Sequence, residues 1–383
     1  MTTRYLDWAS TAPPYPDILA ASADLASRSF GNPSSRHAAG VEAGKALEEA
    51  RARLASSTGC TPGKLVLTSG GSEADSIVML SALTGTGPKS MVISSIEHSA
   101  VHQQARMLEE LGVKVIRVKP NRDGIVEPGA VADAIRPDTV IVAVMAVNNE
   151  TGAIQPTGAT SAAIKLASGS GREPFFHCDA VQALGKIPFD VDALGVDGAA
   201  FSAHKLGGPR GVGALYLRRT VRPLVQGGGQ ENGMRSGTQN TAGAWAFSKA
   251  AERSEESLEA GFNHALKLEA MLLDGIRSIP GATVIPQGRT AGDPRWSPYI
   301  ACVGFPGLGG ETMARLLDDE GIWVSTGAAC SGAKKERRVL DAMGVDRELS
   351  FSSIRVSTGR DSTEADIVAF LEHAGSCYAR FRT

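Results

Sequence analysis

The sequence predicts an α/β protein built on a largely parallel sheet with helices on both faces. Three observations predict it. Short β-branched runs alternate with helical patterns from about residue 64 onward. The residues just past those runs are small or polar, as expected where a parallel sheet presents its carboxyl edge to a ligand. Beyond Pro280 a second, shorter strand and helix alternation begins.

Taken in order, residues 64–68 read as a buried strand, 73–83 as a helix and 90–94 as a strand. A helix over 99–111 precedes strands at 113–118 and 139–147. A helical stretch at 157–168 leads to strands at 175–179, 199–202 and 213–217. A glycine-rich run from Arg222 to Thr238 shows neither period, and 241–279 then reads as one or two long helices. The last part alternates strands at 300–305, 322–325 and 354–357 with helices at 311–320 and 363–378. The segment before about Thr11 carries no signal saying which part it joins.

The chain has 383 residues, enough for two domains at roughly 150 residues each. Its 39 Lys and Arg against 41 Asp and Glu give a charge of −2. That balance argues against a general binder of nucleic acid or membrane surfaces, which would show a basic excess. No apolar run approaches the length of a bilayer span, and the N-terminus lacks a signal-peptide pattern, so a cytoplasmic enzyme is expected. Five cysteines, scattered and odd in number, argue against a disulfide framework or a zinc ribbon.

Five strand ends hold the candidate chemistry. They are Ser69-Gly70-Gly71-Ser72, Glu97-His98, Asn148-Asn149-Glu150, Asp179-Ala180-Val181-Gln182 and Ser202-Ala203-His204-Lys205. Gly71 and Ser72 open a helix whose N-terminal amides suit a phosphate; alone, the segment would read as a serine N-cap. It has neither the Walker spacing nor a dinucleotide fingerprint. Lys205 would ordinarily be a solvated surface group. At a strand end, beside His204 and before two glycines, its amine can instead form a Schiff base with a carbonyl cofactor. If that cofactor is pyridoxal phosphate, Asp179 is a candidate partner for the pyridine nitrogen, Gln182 for the ring hydroxyl and His98 for stacking on the ring.

A zinc site is the weaker alternative. His177 and Cys178 point to opposite faces of one strand, and no paired spacing supports a metal. Cys330 lies among small residues with Lys334, Lys335, Arg337 and Arg338 behind it. A lone cysteine is ordinarily an inert core group, but positive charge near an exposed thiol favours the reactive thiolate. Cys60, Cys178, Cys302 and Cys377 sit in or beside predicted elements and read as structural. Arg355, inside a short strand, reads either as a surface ion pair or as the partner of a substrate carboxylate.

Together these motifs resemble the cysteine desulfurases, a branch of the class V aminotransferase-like, fold-type I pyridoxal phosphate enzymes. The resemblance runs from Tyr5-Leu6-Asp7 through Gly31-Asn32-Pro33, Thr68-Ser69-Gly70-Gly71-Ser72-Glu73, His177-Cys178-Asp179 and Ser202-Ala203-His204-Lys205. It continues through Gly227-Gly228-Gly229-Gln230-Glu231, Arg235-Ser236-Gly237-Thr238 and Ala329-Cys330 to Ser353-Ile354-Arg355. It implies a large cofactor domain over 12–255, with a mostly parallel seven-stranded sheet between helices. It also implies a smaller C-terminal α/β domain, formed by 1–11 and 256–383, that carries the catalytic cysteine loop.

The resemblance also implies roles. Lys205 carries pyridoxal 5'-phosphate and moves protons; Asp179, Gln182 and the stacked His98 hold its ring. Gly71, Ser72, Ser202 and His204 hold the phosphate, with Thr238 reaching in from the second subunit of a homodimer. Arg355, with Asn149 and Asn32, binds the carboxylate of L-cysteine. Cys330 takes the sulfur as a persulfide, releasing alanine, for transfer to a sulfur-acceptor protein such as an iron–sulfur scaffold or a sulfur relay. No metal, membrane or direct nucleic-acid contact is implied. After Cys330 the chain reads Ser331-Gly332-Ala333-Lys334-Lys335, shorter and more basic than the Leu-Glu-Pro-like stretch of iron–sulfur-assembly members. The chain also stops soon after its last helix. Both departures leave the acceptor open.

Overall fold

The computed structural model describes residues 3–327 and 337–382. Seven strands form the main sheet: Leu65–Thr68, Ser90–Ser94, Lys114–Val118, Thr139–Ala143, Phe175–Asp179, Gly198–Ser202 and Gly213–Leu217. From one edge the spatial order is Lys114–Val118, Ser90–Ser94, Thr139–Ala143, Phe175–Asp179, Gly198–Ser202, Gly213–Leu217 and Leu65–Thr68. The first five are parallel. Gly213–Leu217 runs against both neighbours. The short link after Ser202 holds a single 3-10 turn, Ala203–Lys205, and no crossover helix. A return strand is what such a link allows.

Because Leu65–Thr68 opposes Gly213–Leu217, its carboxyl end falls on the same edge as those of the five parallel strands. Thr68 and Ser202 both pair with Gly213. A Cβ at Gly213 would lie 2.5 Å from the Gly70 Cα, so glycine lets the two strand ends close on one another.

Both faces of the sheet are covered, and successive residues divide between two apolar clusters. Val92, Val142 and Phe176 join one cluster; Met91, Ile93, Ile141 and Phe175 join the other. This two-sided burial explains the near-continuous apolar strands of the sequence. The strand expected over 139–147 ends at Ala143, although Val144 and Ala146 still donate to the His177 and Asp179 carbonyls. Two helices, Pro16–Arg28 and Ala38–Thr58, precede the region where the alternation was expected to begin. Ala38–Thr58 packs on Thr241–Glu256 through small residues including Ala43, Ala50, Ala244 and Ala251. A contact made by alanines has little apolar contrast in sequence.

A third cluster surrounds an antiparallel sheet of Thr283–Ile285, Ile300–Gly304 and Ser353–Ser357. Helices Leu258–Ser278, Gly310–Asp319 and Glu364–Phe381 contribute Leu272, Met313 and Phe370 to it. The N-terminal segment joins here: Arg4–Tyr5 pairs in parallel with Ile322–Trp323, and Leu6 is fully buried in the cluster. The chain then crosses to the main sheet, where the Ala12 amide donates to the His204 carbonyl at 2.8 Å. No described helix is long and apolar enough to cross a membrane.

Candidate active site

A cavity of about 380 Å³ opens at the carboxyl edge of the main sheet, where Lys205, Asp179, Ser202, Gly71 and His98 meet Arg355 from the second sheet. Lys205 ends the 3-10 turn Ala203–Lys205 directly after its strand. Its ammonium donates to the carbonyls of Ala9 at 2.6 Å and Ser10 at 2.7 Å. Burial, then the Arg355 charge, lower its pKa to about 8, against the opposing pull of Asp179 and Asp7. The neighbouring His204 places Nδ1 3.1 Å from the Thr11 hydroxyl. Burial and Lys205 bring its pKa down to about 4, so it is neutral near pH 7.

Opposite Lys205 the helix Gly71–Leu80 begins at the cavity wall. Gly70 occupies the N-cap position and no side chain caps the first turn, so the expected serine N-cap is not what forms. Ser72 lies inside the first turn; it and Gly71 line the cavity, and no side chain caps the backbone amides there. A Cβ at Gly71 would lie 2.7 Å from Val181 Cγ2, so a larger residue there would have to displace the Val181 side chain.

Asp179 ends its strand with Oδ1 accepting from the Val181 amide at 3.0 Å. Beneath it, His177 Nε2 lies 2.9 Å from Asp75 Oδ1, with both side chains buried. Burial keeps His177 neutral, with a pKa of about 4, and burial together with Asp179 raises that of Asp75. Gln182 is oriented by its neighbours. Lys186 Nζ donates to Oε1 at 2.7 Å, and Nε2 donates to the Ala9 carbonyl at 2.8 Å. A lysine has donors only, so the oxygen of Gln182 faces it and the NH2 turns away. His98 caps the helix Ser99–Glu110, its Nδ1 accepting from the Ala100 amide at 3.2 Å, and burial lowers its pKa.

Arg355 is buried rather than part of a surface pair. Its Nη1 donates to the Asn149 carbonyl at 2.8 Å, and its Nη2 donates to Asp7 Oδ1 at 2.7 Å and Ser10 Oγ at 2.6 Å. Its Nε is buried with no partner. Asn149 lines the same cavity. Two residues expected at the site do not line it. Asn32 is exposed, with Oδ1 accepting from the Ser34 amide at 2.9 Å, and Thr238 is exposed. Cys330 lies outside the described residues, but both flanks of that segment reach the cavity, at Gly327 and Arg338. Arg337 lies just inside the second flank, donating to the Thr326 carbonyl and to the Ser350 carbonyl at 2.8 Å. Glu97 is a correction to the strand-end pattern. It turns into the core, where Oε1 accepts from the Ser94 hydroxyl at 2.5 Å and the Met145 amide at 2.8 Å.

The class-V aminotransferase family matches residues 4–370. A cysteine desulfurase IscS of Dictyoglomus turgidum is 35% identical over 384 residues, covering 99% of this chain and 95% of that protein. A solved NifS-like protein superposes with a TM-score of 0.90 at 34% identity, covering 99% of this chain and all of the other. A structure of SspA in complex with cysteine has a TM-score of 0.78 at 27% identity, covering 94% of this chain and all of that one. The chain belongs to the cysteine desulfurases of the class-V aminotransferase family.

In this cysteine desulfurase, sequence reasoning missed three groups that shape the site. The Ala9 and Ser10 carbonyls hold Lys205, but a backbone acceptor leaves no residue-type signal. Asp7 holds Arg355, and its signal was the Tyr5-Leu6-Asp7 motif, which had been given no role. Lys186 sits four residues after Gln182 and bonds to it, a spacing that could have pointed to the pair.

Proposed function

We propose that this cysteine desulfurase holds pyridoxal 5'-phosphate on Lys205 and moves the sulfur of L-cysteine onto Cys330. The observation that carries the reading is the convergence of Lys205, Asp179 and an uncapped helix start on one cavity. The donor set fits the group. First-turn amides at Gly71 suit a phosphate, Asp179 suits a ring nitrogen, and the orphaned Arg355 Nε suits a carboxylate.

When bound, the cofactor supplies an electron sink next to the substrate α-carbon. The protein supplies position and protons. Lys205 holds the cofactor covalently and then carries a proton at the α-carbon, a task suited to an amine with a pKa of about 8. Asp179 accepts at the ring nitrogen, Gln182 offers an amide hydrogen to the ring oxygen, and neutral His98 stacks on the ring. Gly71, Ser72, Ser202 and His204 take the phosphate, and Thr238 completes that site from the second protomer of a homodimer. Arg355, with Asn149, takes the substrate carboxylate.

The Cys330 thiolate attacks the substrate sulfur. A sulfur–sulfur bond forms as the carbon–sulfur bond breaks, and a proton arrives at the β-carbon. L-cysteine and a thiol thus become L-alanine and a persulfide, with no outside oxidant. The persulfide passes to an acceptor protein, an iron–sulfur scaffold or a sulfur relay, in the cytoplasm. Residues 12–255 act as the cofactor domain, and 1–11 with 256–383 as the domain that carries Cys330.

The test is incubation of the cofactor-loaded protein with L-cysteine without reductant. Alanine is quantified and the Cys330 peptide is weighed. The expected result is one alanine and one added sulfur atom on Cys330. Alanine without that adduct would point to a lyase, and turnover that survives Cys330→Ala would point to a transaminase-like reaction.

A further inference from the structure

A second cavity, of about 300 Å³, shares Lys205 with the first and lies against the helix Leu258–Ser278. Its wall includes Lys186, Lys205 and Arg360, together with His264, and contains no aspartate or glutamate among the described residues. Lys186 is 9% exposed, and its ammonium donates to a neutral amide, Gln182 Oε1. Burial lowers the Lys186 pKa to about 7, and Lys205 and Arg355 push it the same way. The Arg360 guanidinium carbon lies 3.9 Å from the Tyr15 ring centroid. The acid nearest Arg360 is the exposed Asp361, 3.3 Å from Nε and outside the wall.

One more polar group lies at the wall. Thr358 lines the cavity and is 6% exposed, and its Oγ1 is buried with no hydrogen-bond partner. A buried hydroxyl without a partner is costly, and so is a buried cation that faces no acid. One anion would answer both.

We propose that this cavity binds a compact oxyanion, a carboxylate, sulfate or phosphate, held by Lys186, Arg360 and the Thr358 hydroxyl. Trp8 and Tyr15 wall the space. Lys205 borders both cavities, so an anion here favours its ammonium over its neutral amine.

The test uses protein saturated with pyridoxal phosphate, which fills the first cavity. Sodium sulfate, phosphate and acetate are each titrated against sodium chloride at equal ionic strength, following tryptophan fluorescence. A saturable change beyond that of chloride is expected, and the anion that saturates at the lowest concentration identifies the source. Lys186→Met is expected to weaken the response at least tenfold and Thr358→Val at least threefold. Thr358→Val keeps the shape and removes only the hydroxyl, so it decides the matter even where the methionine variant fails to fold. No saturable response, or one unchanged in Thr358→Val, overturns the proposal. A response seen only without pyridoxal phosphate belongs to the first cavity and also overturns it. The cofactor reading fails by a different sign, the lack of a visible absorption band, which leaves this titration readable.

Discussion

Arg355 Nη2 donates to Asp7 Oδ1 at 2.7 Å across 348 positions of sequence, tying the first motif of the family resemblance to its last. The pair is buried on the arginine side and partly exposed on the aspartate side. Losing one partner of such a pair strands the other charge, at a cost of about 3 kcal/mol. Asp7→Asn is expected to lower stability by roughly that amount in urea unfolding of the cofactor-free protein. The loss should shrink when a carboxylate substrate analogue is present, because its carboxylate can take the place of Asp7.

Arg355→Ala removes the proposed carboxylate partner. A hydrogen bond to a charged group contributes about 1.5–3 kcal/mol, so KM for L-cysteine should rise about ten- to hundredfold. The change should fall mainly on KM, because the carboxylate is bound alike before and during the reaction. Steady-state alanine formation measures both constants.

Lys205 has a pKa lowered from 10.5 to about 8, so its neutral amine grows in as pH rises through 8. The rate of cofactor attachment should follow that titration, rising from pH 7 to 9, and rapid-mixing absorbance reads it. The same shift sets a stability trend. Between about 8 and 10.5 the unfolded chain holds the proton that the folded chain has released, so the cofactor-free protein gains stability with pH there.

Glu97 behaves in the opposite sense. Burial raises its pKa from 4.5 to about 8, and the nearby Asp179 adds to the rise. The stability present in acid is therefore lost as pH climbs from 4.5 through 8. Glu97→Gln keeps the acceptor for Met145 and removes the titration. The variant should gain on the natural protein by on the order of 3 kcal/mol at pH 8 and by much less at pH 5. Urea midpoints at the two pH values check this.

Gly71→Ala should weaken pyridoxal phosphate binding at least tenfold, because the new methyl group meets Val181 Cγ2 at 2.7 Å and pushes the first helical turn out of place. Val181→Ala in the same chain should restore most of the affinity. Fluorescence titration of the cofactor-free protein compares the two.

The sequence showed the sheet because both faces of its strands are apolar, and it showed Lys205, Asp179 and His98 because they stand where such strands end. It did not show what those residues lean on. Lys205 rests on two backbone carbonyls, and every residue type carries a carbonyl. Strand-end position alone also misled at Glu97, since whether a side chain turns to the cavity or to the core depends on the local turn. The helices Pro16–Arg28 and Ala38–Thr58 carry little contrast in sequence, because the first buries only Ile18 and the second packs largely with alanine and other small residues.

The segment that crosses from Leu6 to Thr11 carries more than its length suggests. Asp7 and the Ser10 hydroxyl steady the arginine, while the Ala9 and Ser10 carbonyls receive the lysine. Three residues within a run of four thus act like a key cut for two locks. Insertion or deletion of one residue there would turn the side-chain contacts and the carbonyl contacts out of phase together. A protein engineered at its N-terminus would then lose cofactor capture and substrate capture in a single step, with both cores left intact.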